Sequence, residues 1–94
     1  MIAREGSELR VQGPLTMANI VAMHAAGVEL LSGGELVVDL AAVTEVDSSA
    51  LSLLLEWQRE ARRKGLRLTF RNLPENLKSL AVLYGVADLV AAKE

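Results

Sequence analysis

Two polar residues, Asp47 and Ser48, lie directly before an apolar run, where residues of these types can cap a helix or take part in chemistry. Either side chain can accept a hydrogen bond from the free N–H groups in the first turn of a helix. The positive end of a helix dipole suits a carboxylate on Asp47 and would suit a phosphate on Ser48. Two interpretations follow for this pair: a plain helix cap, or a regulatory serine at Ser48.

Catalysis by a serine requires a base that lies beside the hydroxyl group. The one histidine, His24, falls on the apolar stripe of a predicted helix, far along the chain from Ser48, which favours a histidine at the edge of the core. The absence of cysteine from the sequence excludes disulfides, thiolate metal sites and a cysteine nucleophile. We therefore expect no catalytic residues and no enzyme activity.

Cofactor and metal motifs are also missing from the sequence. Ser32-Gly33-Gly34 closes a predicted helix instead of opening one, and no Gly-Lys-Ser/Thr triplet is present to form a phosphate loop. Asp39, Glu45 and Asp47 do not have the spacing of an EF-hand. The sequence predicts no cofactor and no metal site.

The elements that position Asp47 and Ser48 follow from the hydrophobic pattern of the 94 residues, which predicts a single domain over residues 1–94. The pattern gives the order β-β-α-β-α-β-α, with a final strand or helical turn over 86–90. We expect an α/β fold with a mixed sheet of about four or five strands and about three or four helices, mainly on one side. The individual predictions are strands at 2–4, 8–12, 35–40 and 66–71, a first helix capped by Thr16, a loop over 41–47, a second helix over 48–64 closed by Gly65, and a third helix with Pro74 in its first turn.

The first two predicted helices differ in the face that we expect each to bury. In the first, one buried stripe is predicted from the helical spacing of Met17, Ile20, Val21, His24, Val28 and Leu31. The second is apolar almost all round in its first two turns, interrupted by Ser52 and Glu56. Complete burial of such a helix is difficult in a small domain, so we expect part of it to face a partner protein, with Leu54 in the core.

Charge is distributed unevenly, although the net charge is only −2. Acidic residues exceed basic ones before Ser48, and basic residues exceed acidic ones after it, with a cluster at Arg59, Arg62, Arg63, Lys64, Arg67 and Arg71. This cluster fits the solvated end of a helix whose dipole favours cations. The alternative is a binding surface for nucleic acid or anionic lipid, but aromatic residues make up only 3% of the sequence, which leaves few side chains to stack against bases.

No apolar stretch approaches the roughly 18 residues needed to cross a bilayer, and Met1 to Glu5 lack the apolar region of a signal peptide. The sequence therefore predicts a cytoplasmic protein without nucleic acid as a partner and without direct membrane insertion.

Asp47-Ser48-Ser49-Ala50-Leu51, behind the strand 36–39 and the segment 41–46, resembles the motif of STAS domains. The resemblance spans roughly residues 9–89 and includes Gly13-Pro14-Leu15, Lys64-Gly65 and the segment 80–85. With Asn72-Leu73-Pro74 ahead of it, segment 80–85 is most similar to the MlaB-type STAS subunits of bacterial phospholipid ABC transporters. Ala50 departs from the glycine that is usual in STAS proteins switched by phosphorylation.

The resemblance implies a non-catalytic subunit that binds and regulates an MlaF-like transporter ATPase within a membrane complex that maintains outer-membrane lipid asymmetry. It places the subunit in the cytoplasm, peripheral to the inner membrane. The partner-binding residues would be Glu45, Asp47, Ser48, Ser49, Leu51 and Ser52. The alternative is an anti-sigma-factor antagonist controlled by phosphorylation of Ser48.

Overall fold

The structure, a computed structural model, describes residues 1–90 of the chain. Their order is the predicted β-β-α-β-α-β-α, and a short 3-10 turn follows. The strands are β1 (Ile2–Glu5), β2 (Glu8–Leu15), β3 (Glu35–Val46) and β4 (Arg67–Arg71); the helices are α1 (Ile20–Leu30), α2 (Ser48–Lys64) and α3 (Glu75–Leu83); the 3-10 turn is Ala87–Val90. In this part of the chain, no helix is long and apolar enough to span a membrane.

The four strands form one mixed sheet in the order β1-β2-β3-β4. β1 and β2 pair antiparallel as a hairpin, because two residues suffice for the turn between them. β2 and β3, and then β3 and β4, pair parallel, because α1 and α2 provide the crossovers that parallel neighbours require. The expected mixed α/β architecture is confirmed.

β2 and β3 extend further than the sequence predicted. Gly13 and Pro14 do not end β2, and residues 41–46 are not a loop, because the two strands remain paired as far as Leu15 and Val46. The register shifts between Gly13 and Pro14, and such an irregularity accommodates a residue that has no N–H to donate. The chain therefore passes from the end of β3 to the start of α2 through Asp47 alone.

The core lies between one face of the sheet and the helices. Along each strand the buried residues alternate with more exposed ones, as a sheet covered on one side requires. The opposite face carries charged side chains, where Arg71 pairs with both Glu8 and Asp39. The largest fully buried side chains are Trp57, Phe70, Leu9, Leu15, Leu36, Leu40, Leu53, Leu54, Leu77, Val11 and Val38.

α1 begins later than the sequence predicted, and it buries only part of the predicted stripe: Leu31 is buried, and Ile20 and Val28 pack against the core. Thr16 does not cap it: the helix starts at Ile20 after Asn19, whose Oδ1 accepts a hydrogen bond from the Thr16 N–H at 3.0 Å. Met17 and Val21, expected in the buried stripe, are 79% and 80% exposed.

The residues of α1 that the structure buries are Met23 and Gly27. Gly27 has no side chain, and this allows the indole ring of Trp57 on α2 to lie against the α1 backbone. The indole Nε1 donates to the His24 carbonyl oxygen at 3.4 Å. This close contact selects the face of α1 that turns inward, and therefore leaves Val21 outside.

The basic residues at the end of α2 make the contacts of a helix terminus. Arg62, Arg63 and Lys64 occupy its last turn, where the helix dipole favours cations. The Lys64 ammonium also donates to the carbonyl oxygens of Val28 and Leu31, at 2.9 and 3.1 Å, and so caps the C-terminus of α1. These contacts support the helix-end interpretation for Arg62, Arg63 and Lys64, whereas Arg67 and Arg71 lie on β4.

Candidate functional site

Asp47 is the N-cap of α2, which decides between the two caps, Asp47 and Ser48, that the sequence allowed. Its Oδ1 accepts hydrogen bonds from the Ser49 N–H, at 2.9 Å, and from the Ser49 hydroxyl. Its Oδ2 accepts from the Met17 N–H at 3.1 Å, which ties the segment before α1 to the start of α2. The hydrogen bond from the Ser49 side chain, followed by that from the Met17 backbone, holds the pKa of Asp47 below its ordinary value.

Ser48 is the first helical residue and is exposed. It is not the cap, because Asp47 takes that role, and within residues 1–90 its hydroxyl has no hydrogen-bond partner. The first turn of α2 therefore offers a hydroxyl group to solvent beside backbone N–H groups that carry partial positive charge.

A depression of about 530 Å³ opens around this helix start, and we call its lining the helix-start surface. It brings together five predicted partner-binding residues: Asp47, Ser48, Ser49, Leu51 and Ser52. It adds four residues that the sequence analysis did not assign to it: Met17, Leu55, Tyr84 and Val86.

Two of the added residues, Tyr84 and Met17, lie just outside the helices. α3 ends at Leu83, so Tyr84 follows the helix and is 60% exposed, and Gly85 next to it adopts a positive φ of 71°. Met17 belongs to the segment that precedes α1, where helical spacing no longer determines burial. The helix-start surface thus combines exposed apolar side chains with hydroxyl groups, a composition that suits protein–protein contact.

Glu45, the sixth predicted partner-binding residue, lies elsewhere. It is an exposed residue near the end of β3, where it pairs with Pro14. It lines a separate depression of about 60 Å³ together with Pro74 and Asn76. The strand extension explains the difference, because a residue two positions before the cap follows the geometry of the sheet and not that of a loop.

Most of the apolar surface at the start of α2 is buried within the domain, contrary to the expectation that part of it faces a partner, and Leu55 is the exception. Leu51 is 4% exposed, and Leu53, Leu54 and Trp57 are also buried. The expectation that Leu54 lies in the core agrees with its burial. Leu55 alone of the apolar residues from 51 to 57 is partly exposed. Leu51 therefore contributes the floor of the helix-start surface, not a protruding contact.

A second depression, of about 310 Å³, separates α1 from α2, and we call it the α1–α2 groove. His24 lines this groove, whereas Ser48 lines the helix-start surface, so the structure does not place the two in one cavity. The Nε2 atom of His24 is buried without a hydrogen-bond partner among residues 1–90. Within the same residues, no group of three or more acidic or histidine side chains is arranged to hold a metal ion.

The fold and the motif at the start of α2 define a STAS domain. A family model described as Mlab, STAS domain matches residues 1–91, so the chain belongs to this family of MlaB-type STAS domains. No curated protein matches the chain.

Solved structures share the fold. The unphosphorylated anti-sigma factor antagonist SpoIIAA is similar over 100% of this chain and 87% of its own, with a TM-score of 0.76 and 14% identity. The STAS domain of a SulP transporter from Vibrio cholerae is similar over 87% of this chain and 65% of its own, with a TM-score of 0.67 and 16% identity. Mglu is similar over 78% of this chain but only 19% of its own, with a TM-score of 0.61 and 25% identity.

Proposed function

We propose that this chain is a non-catalytic cytoplasmic subunit that binds and regulates the ATPase of a phospholipid ABC transporter of the Mla type. The complex would hold it at the inner membrane and would maintain the lipid asymmetry of the outer membrane. The observation that carries the proposal is the helix-start surface of an MlaB-type STAS domain, where the free Ser48 hydroxyl stands among exposed apolar side chains.

Regulation without a catalytic group follows from selective binding. A subunit that binds one conformation of the ATPase better than another shifts the population toward the state it prefers. The attachment of the helix start supports such a role: the Asp47 carboxylate accepts two hydrogen bonds from Ser49 in the first turn of α2 and one from the Met17 N–H in the segment before α1.

Ser48→Asp tests this proposal, because folding and binding respond to it differently. A carboxylate in the first turn of a helix favours the dipole, so the melting temperature should not fall. At a closed interface the same carboxylate must be desolvated without a guaranteed counter-charge, so co-purification with the transporter ATPase should fall sharply. Ser48→Leu should fold and should also weaken binding, by steric clash.

The matched control is Ser79→Asp, because Ser79 is an exposed serine on α3 that does not line the helix-start surface. We expect this variant to co-purify with the ATPase as the parent does. Full co-purification of Ser48→Asp, at an unchanged melting temperature, would contradict the proposed contact.

One observation favours a second candidate function, that of an anti-sigma-factor antagonist. The free, exposed Ser48 hydroxyl at the first turn of α2 is accessible to a kinase, and a phosphate would add about −2 charge at the helix-start surface. Ala50, which departs from the usual glycine, is fully buried, so its methyl group lies away from the exposed Ser48 hydroxyl. Capture of the partners from the native cell distinguishes the two candidates: an ABC ATPase with membrane subunits, or a small serine kinase.

A further inference from the structure

The outer face of α1 lacks the charged residues that a solvent-facing helix usually carries. No charged residue occurs from Leu15 to Val28, and Glu29 is the first. The exposed residues in this stretch are Met17, Ala18, Val21, Ala22 and Ala25. A helix that is apolar all round is normally buried, so we expect a partner to cover the exposed face of α1.

The exposed apolar face of α1 continues into the α1–α2 groove. Each helix contributes residues at positions i, i+1 and i+4 to the groove walls: Ile20, Val21 and His24 from α1, and Ser52, Leu53 and Glu56 from α2. Ser52 also lines the helix-start surface, which makes the two surfaces continuous. A groove whose two walls are each one helical turn long fits the side chains on one face of a helix.

The charges around the groove indicate the chemistry of its occupant. Glu56 is the one carboxylate in the groove wall, and its side chain is 44% exposed. Arg59 pairs with Glu56 but does not line the groove, and Arg62, Arg63 and Lys64 lie at the opposite end of α2. An apolar groove with a carboxylate on its wall is complementary to an amphipathic segment that carries a basic residue.

We propose that the α1–α2 groove receives a basic amphipathic helix of the ATPase subunit. Apolar side chains of that helix pack against Val21 and the partly exposed Ile20, and a lysine or arginine pairs with the Glu56 carboxylate. The Glu56 side chain is already paired with Arg59 at 2.8 Å, and the incoming cation competes for or shares that carboxylate. This inference rests on the proposed function, because it takes the transporter ATPase as the partner.

Val21→Glu tests the apolar part of the proposal on the full chain with the purified ATPase subunit, by calorimetric titration. Val21 is 80% exposed, so the melting temperature of the variant should equal that of the parent chain. The new carboxylate nevertheless lies against the apolar side chains of the partner. We expect the affinity of the variant for the ATPase to fall by about tenfold or more. The matched control is Val82→Glu: Val82 is 70% exposed on α3 and lines neither the groove nor the helix-start surface, so the affinity should stay within about twofold.

Glu56→Gln tests the charged part, with Glu60→Gln as its control. Both glutamates form an i,i+3 pair with an arginine on α2, but only Glu56 lines the groove. We expect Glu56→Gln to lower the affinity several-fold at low salt and to reduce its salt dependence, whereas Glu60→Gln should change neither.

The outcomes separate the groove from the proposed function. If the parent chain binds the ATPase and Val21→Glu binds equally well, or Val82→Glu is equally harmful, the groove is not the docking site and the proposed function stands. If Glu56→Gln leaves both affinity and salt dependence unchanged, the basic occupant is wrong. If the parent chain does not bind the ATPase, the proposed function and this inference both fail.

Discussion

α1 is apolar over most of its length and α2 over its first two turns, yet the two helices lie differently in the fold. α2 buries Ala50, Leu51, Leu53, Leu54, Trp57 and Ala61. It can do so because it packs against α1, α3 and β4. α1 buries only Met23 and Gly27 and leaves Val21, Ala22 and Ala25 in solvent. Apolar composition thus identifies a helix whose surface must be buried. The neighbouring elements determine whether that surface is buried within the domain or only by a partner.

The ends of the two helices differ in the same way. α2 is closed by adjacent residues, since Asp47 caps its start and Gly65, with a φ of 74°, caps its end. α1 has no side-chain cap at Asn19, and its last carbonyl oxygens accept hydrogen bonds from Lys64 and from Arg4 on β1. α1 therefore depends on tertiary contacts where α2 depends on local ones.

Truncation of one apolar residue on each helix should give the largest difference in the free energy of unfolding between α1 and α2. Trp57→Ala removes a side chain that is 0% exposed, and we expect a loss of about 3–5 kcal/mol in the free energy of unfolding. Val21→Ala should change it by no more than about 0.5 kcal/mol. Chemical denaturation followed by circular dichroism measures both values. Equal losses would show that the outer face of α1 is covered within the domain.

Gly27→Ala tests the contact between the two helices. A Cβ built on Gly27 would lie 2.3 Å from Cε2 and Cζ2 of Trp57, and the fully buried ring has little freedom to move. We expect a loss of about 1–3 kcal/mol, as is typical of an overpacked core. In a Trp57→Phe background the loss from Gly27→Ala should be smaller, because the smaller ring leaves room for the methyl group. Additive losses would contradict the close contact.

Much of the fold could be predicted because its local signals agree with one another. The extent of α2 was found within a residue, since Asp47 marks its start, Gly65 marks its end, and an apolar run lies between them. The bounds of β2 and β3 were missed because strand pairing is non-local: nothing near Pro14 in the sequence shows that Val46 pairs beside it. The exposure of Val21 and the burial of Gly27 were missed for the same reason, since Gly27 and Trp57 lie far apart in the chain.

The candidate site was predicted where it depends on one segment and missed where it depends on several. Asp47, Ser48, Ser49 and Ser52 were assigned to partner binding from one short segment, and they lie together at the helix-start surface. Tyr84, which follows α3, lines the same depression only because α3 packs against α2. The partner contact was assigned to α2, whereas the exposed apolar residues lie on the segments that flank it.

The different caps of the two helices predict a difference in pH dependence. The pKa of Asp47 lies below its ordinary value of 3.8, so the folded protein binds this proton less readily than the unfolded chain. The stability contributed by the Asp47 carboxylate is therefore complete above pH 3.8 and is lost as the pH falls through the lower, folded-state pKa. Asp47→Asn keeps a capping side chain but should remove this component from a plot of melting temperature against pH.

Ser49→Ala should shift the same component toward higher pH, because the hydrogen bond from the Ser49 side chain is the largest cause of the lowered pKa. Asn19→Ala serves as the comparison on α1. The Asn19 side chain forms hydrogen bonds with the backbone of Thr16 and Pro14, so its loss should lower the melting temperature. It should not change the acid limb, that is, the fall of the melting temperature at low pH. An unchanged acid limb in Asp47→Asn would show that the carboxylate does not contribute through its charge.

Ser48→Ala has the smallest expected effect on stability and therefore best separates folding from binding at the start of α2. A capping serine would lose about 0.5–2 kcal/mol on replacement by alanine, but the cap is Asp47. The Ser48 hydroxyl is exposed and makes no hydrogen bond within residues 1–90, so the loss should stay within about 0.5 kcal/mol. Ser49→Ala, one residue along, should cost more, because it removes a bond to the Asp47 carboxylate. Differential scanning calorimetry on the two variants at neutral pH gives the comparison. If Ser48→Ala proved the more costly of the two, the hydroxyl of Ser48 would be part of the cap, and its availability to a partner or a kinase would be lost as an argument.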